Sequence, residues 1–328
     1  MKFTALLVEK NDLGEISTSI KQLDESQLPN GNVTVKVEWA GLNYKDGLCL
    51  TGAGGLVRNY PHVAGIDFAG TVYSSEDNRY KKGDKVILTG WRVGEMQWGG
   101  FAQLARVNAD YLVPLPSTMT TRDAMVIGTA GLTAQLAISK LEQNGLKPEN
   151  GEVLVTGAGG GVGSIATMLL AKSGYDVVAL SGRESTKENL QKLGAKIIMA
   201  RDELSEPSKR VLEKERWAGV VDSAGGAMLG NILKATKYNG GVAAIGLAGG
   251  ANWDASVIPF IIRGVNIYGI DSVMQPFAAR KKAWERLAQN FNQKTYAPMI
   301  EEIKLEQLPK AAKDILAGKI MGRKIVAL

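Results

Sequence analysis

The segment Gly157-Ala158-Gly159-Gly160-Gly161-Val162-Gly163 follows the apolar run Val153-Leu154-Val155-Thr156 and opens a helical pattern over 162–172. A backbone stripped of Cβ atoms turns sharply and lets a pyrophosphate approach the first N–H groups of the helix behind it. Glycines also serve close helix–sheet packing, so the turn alone decides little. Its surroundings decide more. Strands at 176–180, 196–199, 219–222 and 242–245 alternate with helices at 187–193, 206–215 and 228–236. That alternation predicts βα units on a parallel sheet, where a glycine turn after the first strand binds a dinucleotide. A triphosphate-binding loop requires Gly-Lys-Ser/Thr, whereas Gly163 is followed by Ser164-Ile165.

The tip of the second strand selects the dinucleotide. An NAD site places Asp or Glu there to accept from the ribose hydroxyls. This strand ends Leu180-Ser181-Gly182-Arg183, with Arg201 at the exit of the next one. A serine hydroxyl and guanidinium groups suit a 2′-phosphate. The expected cofactor is therefore NADP(H), held by Gly159, Gly160, Gly161 and Val162 of the turn and by Ser181, Gly182, Arg183 and Arg201. Two alternatives stand beside this: both arginines are solvated surface charge, or Glu184 serves as the ribose acid one position late.

At about 150 residues per domain, 328 residues suggest two domains. The first third reads as short strands at 3–8, 32–39, 67–72, 85–88 and 101–107, punctuated by Gly83-Asp84 and Gly99-Gly100, a barrel-like β unit. A helix runs from 121 to about 141, an edge strand spans 265–270, and an amphipathic helix spans 276–290. The closing stretch from 303 to 327 is expected to rejoin the first unit. The domains expected are thus 1–124 completed by 272–328, and 125–271. One cysteine, Cys49, excludes an internal disulfide, and with one histidine, His62, no Cys/His metal site of three or four ligands can form. A net charge of +6 is spread thinly, favouring anionic ligands without marking a nucleic-acid binder. No run of 18 uncharged apolar residues suggests a membrane span, and the N-terminal apolar run is too short for a signal sequence. A cytoplasmic location is expected.

Several further motifs carry a resemblance. They are Gly41-Leu42-Asn43-Tyr44-Lys45-Asp46, Pro61-His62-Val63-Ala64-Gly65-Ile66-Asp67-Phe68-Ala69-Gly70, Gly83-Asp84-Lys85-Val86 and Gly128-Thr129-Ala130-Gly131-Leu132-Thr133-Ala134. With the glycine turn, this ordered set resembles the zinc-free quinone-reductase branch of the medium-chain dehydrogenase/reductase superfamily over essentially the whole chain. Within it, the chain is most similar to the NADPH-dependent acrylyl-CoA reductases. The resemblance implies an α/β protein with a GroES-like β-barrel-type catalytic domain and a Rossmann-type doubly wound parallel-sheet domain. Zinc alcohol dehydrogenases carry metal ligands where this chain has Asn43 and Ile66, ahead of Asp67, and the structural zinc lobe is missing. No metal is expected. The family's first turn glycine is replaced by Ala158, as other zinc-free members tolerate.

Without zinc, alcohol–ketone interconversion loses its Lewis acid. An α,β-unsaturated thioester brings its own activation, because hydride arriving at Cβ sends charge into the carbonyl as an enolate that is then protonated at Cα. The resemblance implies Asn43 and Tyr44 at the active-site edge. Tyr44 would contact the nicotinamide and donate to the substrate carbonyl or relay a proton, with water the other donor. Asp46 is a catalytic candidate or else a structural acceptor of backbone N–H groups. Thr129, Leu247, Ile262, Ser272 and Arg323 are expected at the cofactor; Arg323, with Arg58 or Arg263, would alternatively clamp a substrate phosphate or be plain surface charge. Lys45 is expected to face solvent, Cys49 to be a buried hydrophobe and His62 a packing residue. Rival readings are a quinone or enal reductase on the same scaffold and a non-enzymatic NADPH-binding protein. A homodimer is expected through strand 265–270, with no nucleic-acid or membrane partner.

Overall fold

A computed structural model describes all 328 residues. The chain divides into two compact units, one formed by Met1–Thr129, Ser272–Ala288 and Ile300–Leu328, the other by Ala130–Asp271 and Gln289–Met299. The first boundary comes at Thr129 rather than after residue 124, and the backbone explains why. The apolar period from Thr121 to Gln143 continues through Gly128, but there φ is +51° and ψ −156° and the helix breaks. Periodicity counts side chains and does not see a kink that glycine permits. The helix is apolar and long enough to cross a membrane by composition, yet 78% of its most apolar window is buried inside the protein, as in a core helix. Residues 289–299 belong to the second unit, where the Tyr296 hydroxyl meets Ser164 Oγ at 2.7 Å.

The first unit carries a seven-stranded sheet. Its order is Ile300–Ile303, Arg323–Ala327, Val33–Leu42, Asp67–Ser75, Lys85–Thr89 and Leu112–Pro114, with Leu104–Val107 also paired to Val33–Leu42. Val33, Val35 and Val37 are buried and Lys36 is exposed, while Thr34 on the Lys36 face is also buried and accepts from Arg106 Nε at 3.0 Å. Arg323–Ala327 runs antiparallel to Val33–Leu42, so the C-terminus closes the sheet that the N-terminal third began. A smaller sheet joins Ile16–Asp24, Lys2–Lys10 and His62–Val63.

The second unit is a six-stranded parallel sheet in the order Ile197–Ala200, Asp176–Ser181, Glu152–Val155, Trp217–Asp222, Thr236–Ala244 and Asn266–Gly269. This is the doubly wound arrangement, with the strand preceding the glycine turn near its centre. Its core holds Leu154, Val178, Val220, Ile232 and Val242. The helix expected at 206–215 is absent. A short helix, Asp202–Ser205, stops at Glu206, which is extended (φ −80°, ψ 133°) because Pro207 follows and disfavours the helical region. Asn231 then fixes the irregular stretch, donating to the Leu204 and Glu206 carbonyls at 2.8 and 2.7 Å and accepting from Ser208 N at 2.9 Å. In the first unit, strand Ile16–Asp24 and helices Tyr44–Thr51 and Leu308–Leu316 were not legible as such.

Candidate active site

In the second unit, the glycine turn is built by exclusion. Gly157 has φ +59°, and a Cβ at Gly163 would collide with the Gly157 carbonyl. Ala158 is fully buried and its N–H donates to Leu180 O at 3.0 Å, so its methyl group is spent on packing. Gly160 caps helix Gly161–Lys172 with extended backbone and no side chain in the way. The N–H groups of Gly161, Val162 and Gly163 have no acceptor one turn back, and they form the positive end of the helix.

Beside it, strands Asp176–Ser181 and Ile197–Ala200 end in register, Ser181 opposite Ala200. Arg201 follows directly, and its side chain lies along Gly182, where an added Cβ would meet Arg201 Cβ and Cδ at 3.5 Å. Ser181 Oγ shares a 2.8 Å hydrogen bond with Thr186 Oγ1 and accepts from Arg183 N at 3.3 Å. Arg183 is half-buried, and that burial pulls its guanidinium below its usual pKa. Glu184 turns away, 83% exposed and paired with Lys187 at 2.7 Å. The tip of Asp176–Ser181 thus offers a hydroxyl and the Arg183 side chain with Glu184 turned away, and the tip of Ile197–Ala200 offers Arg201, while the Glu203 carboxylate there is taken by Ala200 N at 2.9 Å. This donor set fits a 2′-phosphate. Leu247 and Ile262 are both exposed, Ile262 on helix Ile258–Arg263. Arg263 is committed elsewhere, donating to Glu213 O at 2.6 Å and Lys234 O at 2.8 Å, so it is not available as a phosphate clamp.

In the first unit, Asn43 caps the start of helix Tyr44–Thr51. Asp46 is wholly buried; its Oδ2 accepts from Asn43 N at 2.8 Å and Asn43 Nδ2 at 3.3 Å, and its Oδ1 from Ile66 N at 2.8 Å. Burial, reinforced by the charge of Asp67, pushes its pKa up to about 7. Asp67 is equally buried and accepts from Gly41 N at 3.0 Å and Thr129 N at 2.7 Å. Burial raises its pKa as well, against the pull of the Arg323 guanidinium 3.6 Å away.

Arg323 is only 3% exposed and donates to Asn43 Oδ1 (3.0 Å), Leu42 O and Val126 O (both 3.1 Å), and Met125 O (3.3 Å). A guanidinium so enclosed does not reach a solvent-borne phosphate. Tyr44, by contrast, is 48% exposed at the first helical position. Lys45 pairs with Glu95 at 2.9 Å instead of standing free in solvent. The carbonyl of half-buried Ser272 accepts from Arg280 at 3.3 Å. Burial raises the Cys49 thiol to about 12, far from a nucleophilic thiolate, and His62 is buried against Gly94 O at 2.9 Å.

No group of three His, Cys, Asp or Glu side chains converges anywhere in the chain. Asp67, central to the buried network, was missed as a site residue. An acid at the head of an otherwise apolar strand was the available signal, since a buried carboxylate needs a cation or several N–H donors.

Models of two families match the chain: the alcohol dehydrogenase GroES-like domain over residues 29–117 and the zinc-binding dehydrogenase over 161–291. The acrylyl-CoA reductase AcuI of Ruegeria pomeroyi is 57% identical over 325 residues, covering 99% of this chain and 98% of that protein. Among solved structures, the yhdH oxidoreductase from Salmonella enterica in complex with NADP superposes with a TM-score of 0.96 at 50% identity, covering 100% of both chains. Bacillus subtilis yhfP with NAD bound gives a TM-score of 0.96 at 45% identity, again over 100% of both. Matched along its whole length at this level, the chain belongs to the zinc-independent, quinone-oxidoreductase-like branch of the medium-chain dehydrogenase/reductase superfamily, in the group that holds the acrylyl-CoA reductases.

Proposed function

We propose that this protein reduces the carbon–carbon double bond of a short 2-enoyl-CoA with NADPH, acrylyl-CoA to propanoyl-CoA being the favoured case. The full-length 57% identity to the Ruegeria pomeroyi enzyme carries the reading, and the ending of the second strand in Ser181-Gly182-Arg183, with no acid at its tip, supports the choice of NADPH. When bound, the cofactor supplies the hydride that reaches Cβ. Gly159, Gly160, Gly161 and Val162 would take its pyrophosphate at the helix N-terminus, and Ser181, Gly182, Arg183 and Arg201 its 2′-phosphate. Thr129, Leu247, Ile262 and Ser272 are the further contacts in this reading, while Arg323, enclosed as it is, would serve the cofactor side by holding Asn43.

Charge develops on the thioester oxygen as hydride arrives. A fixed hydrogen-bond donor there lowers the barrier more than one that must reorient. Tyr44 is the exposed donor on a helix start locked by Asn43 and Asp46, and it or a water it orders delivers the proton to Cα. Both oxygens of Asp46 are taken by N–H groups, so Asp46 acts by positioning Asn43 and Tyr44. The test is NADPH oxidation scored as kcat/KM on acrylyl-CoA, crotonyl-CoA, acrolein and benzoquinone, with NADH as control. Acrylyl-CoA is expected to lead. Fast quinone turnover with none on either thioester would overturn the substrate assignment.

Asn266–Gly269 is the last strand of its sheet, paired only with Thr236–Ala244 and leaving one edge of backbone groups open. A second copy pairing along that edge would satisfy them, making the protein a homodimer. Sedimentation equilibrium is expected to return twice the 35.1 kDa chain mass; a monomer at micromolar concentration would refute it.

A further inference from the structure

Three non-glycine residues in the chain hold a positive φ, and two are consecutive: Trp91 (58°) and Arg92 (57°). Asn239, the third, is of a type that tolerates the left-handed region; tryptophan and arginine are not. The indole N–H of Trp91 is also buried without a partner. Such a strained pair persists only where its surroundings over-determine it, and strain of this kind clusters at ligand clamps.

The surroundings do so here. Arg280, fully buried, donates to Thr89 O and Oγ1 at 2.7 Å and to Val273 O at 3.1 Å, and its guanidinium lies 5.1 Å from the centre of the Trp91 ring. The other contacts of that ring include a stack on Tyr111 at 5.3 Å, and Trp91 N donates to Val273 O at 2.9 Å. Past the strained pair, Val93 is buried, and the N–H groups of Glu95 and Met96 both bond back to Arg92 O.

This rigid loop is tied to the catalytic helix. Glu95, in the same tight turn as Arg92, meets Lys45, the neighbour of Tyr44. It is also tied to the segment before His62: Gly94 O meets the His62 ring, and Trp98 Nε1 donates to Pro61 O at 3.2 Å. That segment carries Arg58. Arg58 and Arg92 are both exposed, and neither guanidinium has a hydrogen bond or ion pair. Two unpaired cations thus stand on adjoining loops, each anchored, in the unit that bears Tyr44. In the proposed function the anionic groups of the cofactor take their donors from the other unit, at the glycine turn and at Ser181, Arg183 and Arg201.

We propose that Arg92, with Arg58, recognises the phosphates of the coenzyme A portion of the substrate. This inference rests on the acyl-CoA reading above. It makes these two residues determinants of specificity for the CoA thioester over a bare enal or quinone, which carries no phosphate for a guanidinium to grip.

The test compares acrylyl-CoA with acrylyl-pantetheine, which keeps the acyl group and the arm but lacks every phosphate. Asparagine tolerates the left-handed backbone, so Arg92→Asn removes the charge without new strain. Arg58→Asn/Arg92→Asn is expected to lower the kcat/KM ratio of the CoA to the pantetheine thioester by about tenfold or more, mainly through KM for acrylyl-CoA. Acrylyl-CoA activity of the unsubstituted protein is expected to fall with added salt and that fall to flatten in the same variant, and Arg92→Lys should restore part of the ratio. An unchanged ratio in the double variant would overturn this inference alone. Absence of turnover of either thioester by the unsubstituted protein would overturn the acyl-CoA reading and this inference with it.

Discussion

Ser181→Asp combined with Arg183→Leu is expected to cut kcat/KM for NADPH by about 100-fold or more while leaving that for NADH unchanged or raised. The size follows from what is removed. A charge-assisted hydrogen bond contributes about 1.5–3 kcal/mol, and about 1.4 kcal/mol corresponds to a factor of ten. Losing the Arg183 pair accounts for one to two such factors. Placing a carboxylate beside the 2′-phosphate adds repulsion that solvent screens only partly, because Ser181 and Arg183 are both half-buried. The same carboxylate would accept from a free 2′-hydroxyl, which is what an NAD site uses. Arg201→Leu alone should cost less, since that side chain is exposed and has less to lose on truncation. Steady-state kinetics with both cofactors at saturating enoyl substrate decide the matter. A loss for NADPH below about threefold in the double variant would place the 2′-phosphate elsewhere.

The second unit was legible because its rules are local. Val153-Leu154-Val155 is an unbroken apolar run, as a strand buried on both faces requires, and the glycine turn follows it directly. The strand order then follows from alternating elements and right-handed crossovers. The same reasoning failed at 206–215, where the alternation of strands and helices called for a helix but Pro207 set the conformation of Glu206. In the first unit the strands were visible, but the network beneath the candidate site was not. Nothing near Asn43 or Asp67 announces that Arg323, far along the chain, will donate to Asn43 and lie beside Asp67. Long-range polar pairing depends on the register of Arg323–Ala327 against Val33–Leu42, and register is set by tertiary packing that spacing does not encode. The strained pair at Trp91 and Arg92 was equally hidden, since no propensity places two bulky residues in the left-handed region.

Asp67→Ala is expected to cost about 3–5 kcal/mol of stability, because removing one partner leaves the other buried charge uncompensated. Here it would also orphan the N–H groups of Gly41 and Thr129. The backbone has been shaped around this one carboxylate. A Cβ at Gly41 would lie 2.5 Å from Asp67 Oδ1, and one at Gly128 would lie 2.5 Å from Asp67 Oδ2. The kink in Thr121–Gln143 and the bend ahead of Asn43 therefore close on the same two oxygens. Arg323→Met alone should be nearly as costly, since it frees the Asn43 side chain and three backbone carbonyls together. The double variant should lose much less than the sum, by a coupling of roughly 1–3 kcal/mol. Denaturant unfolding of the four proteins measures that coupling, and strict additivity would show that Asp67 and Arg323 stabilise the fold independently. Such a result would also remove the reason for linking the Asn43 cap to the kink at Gly128, and Tyr44 would then depend on Asp46 alone for its position.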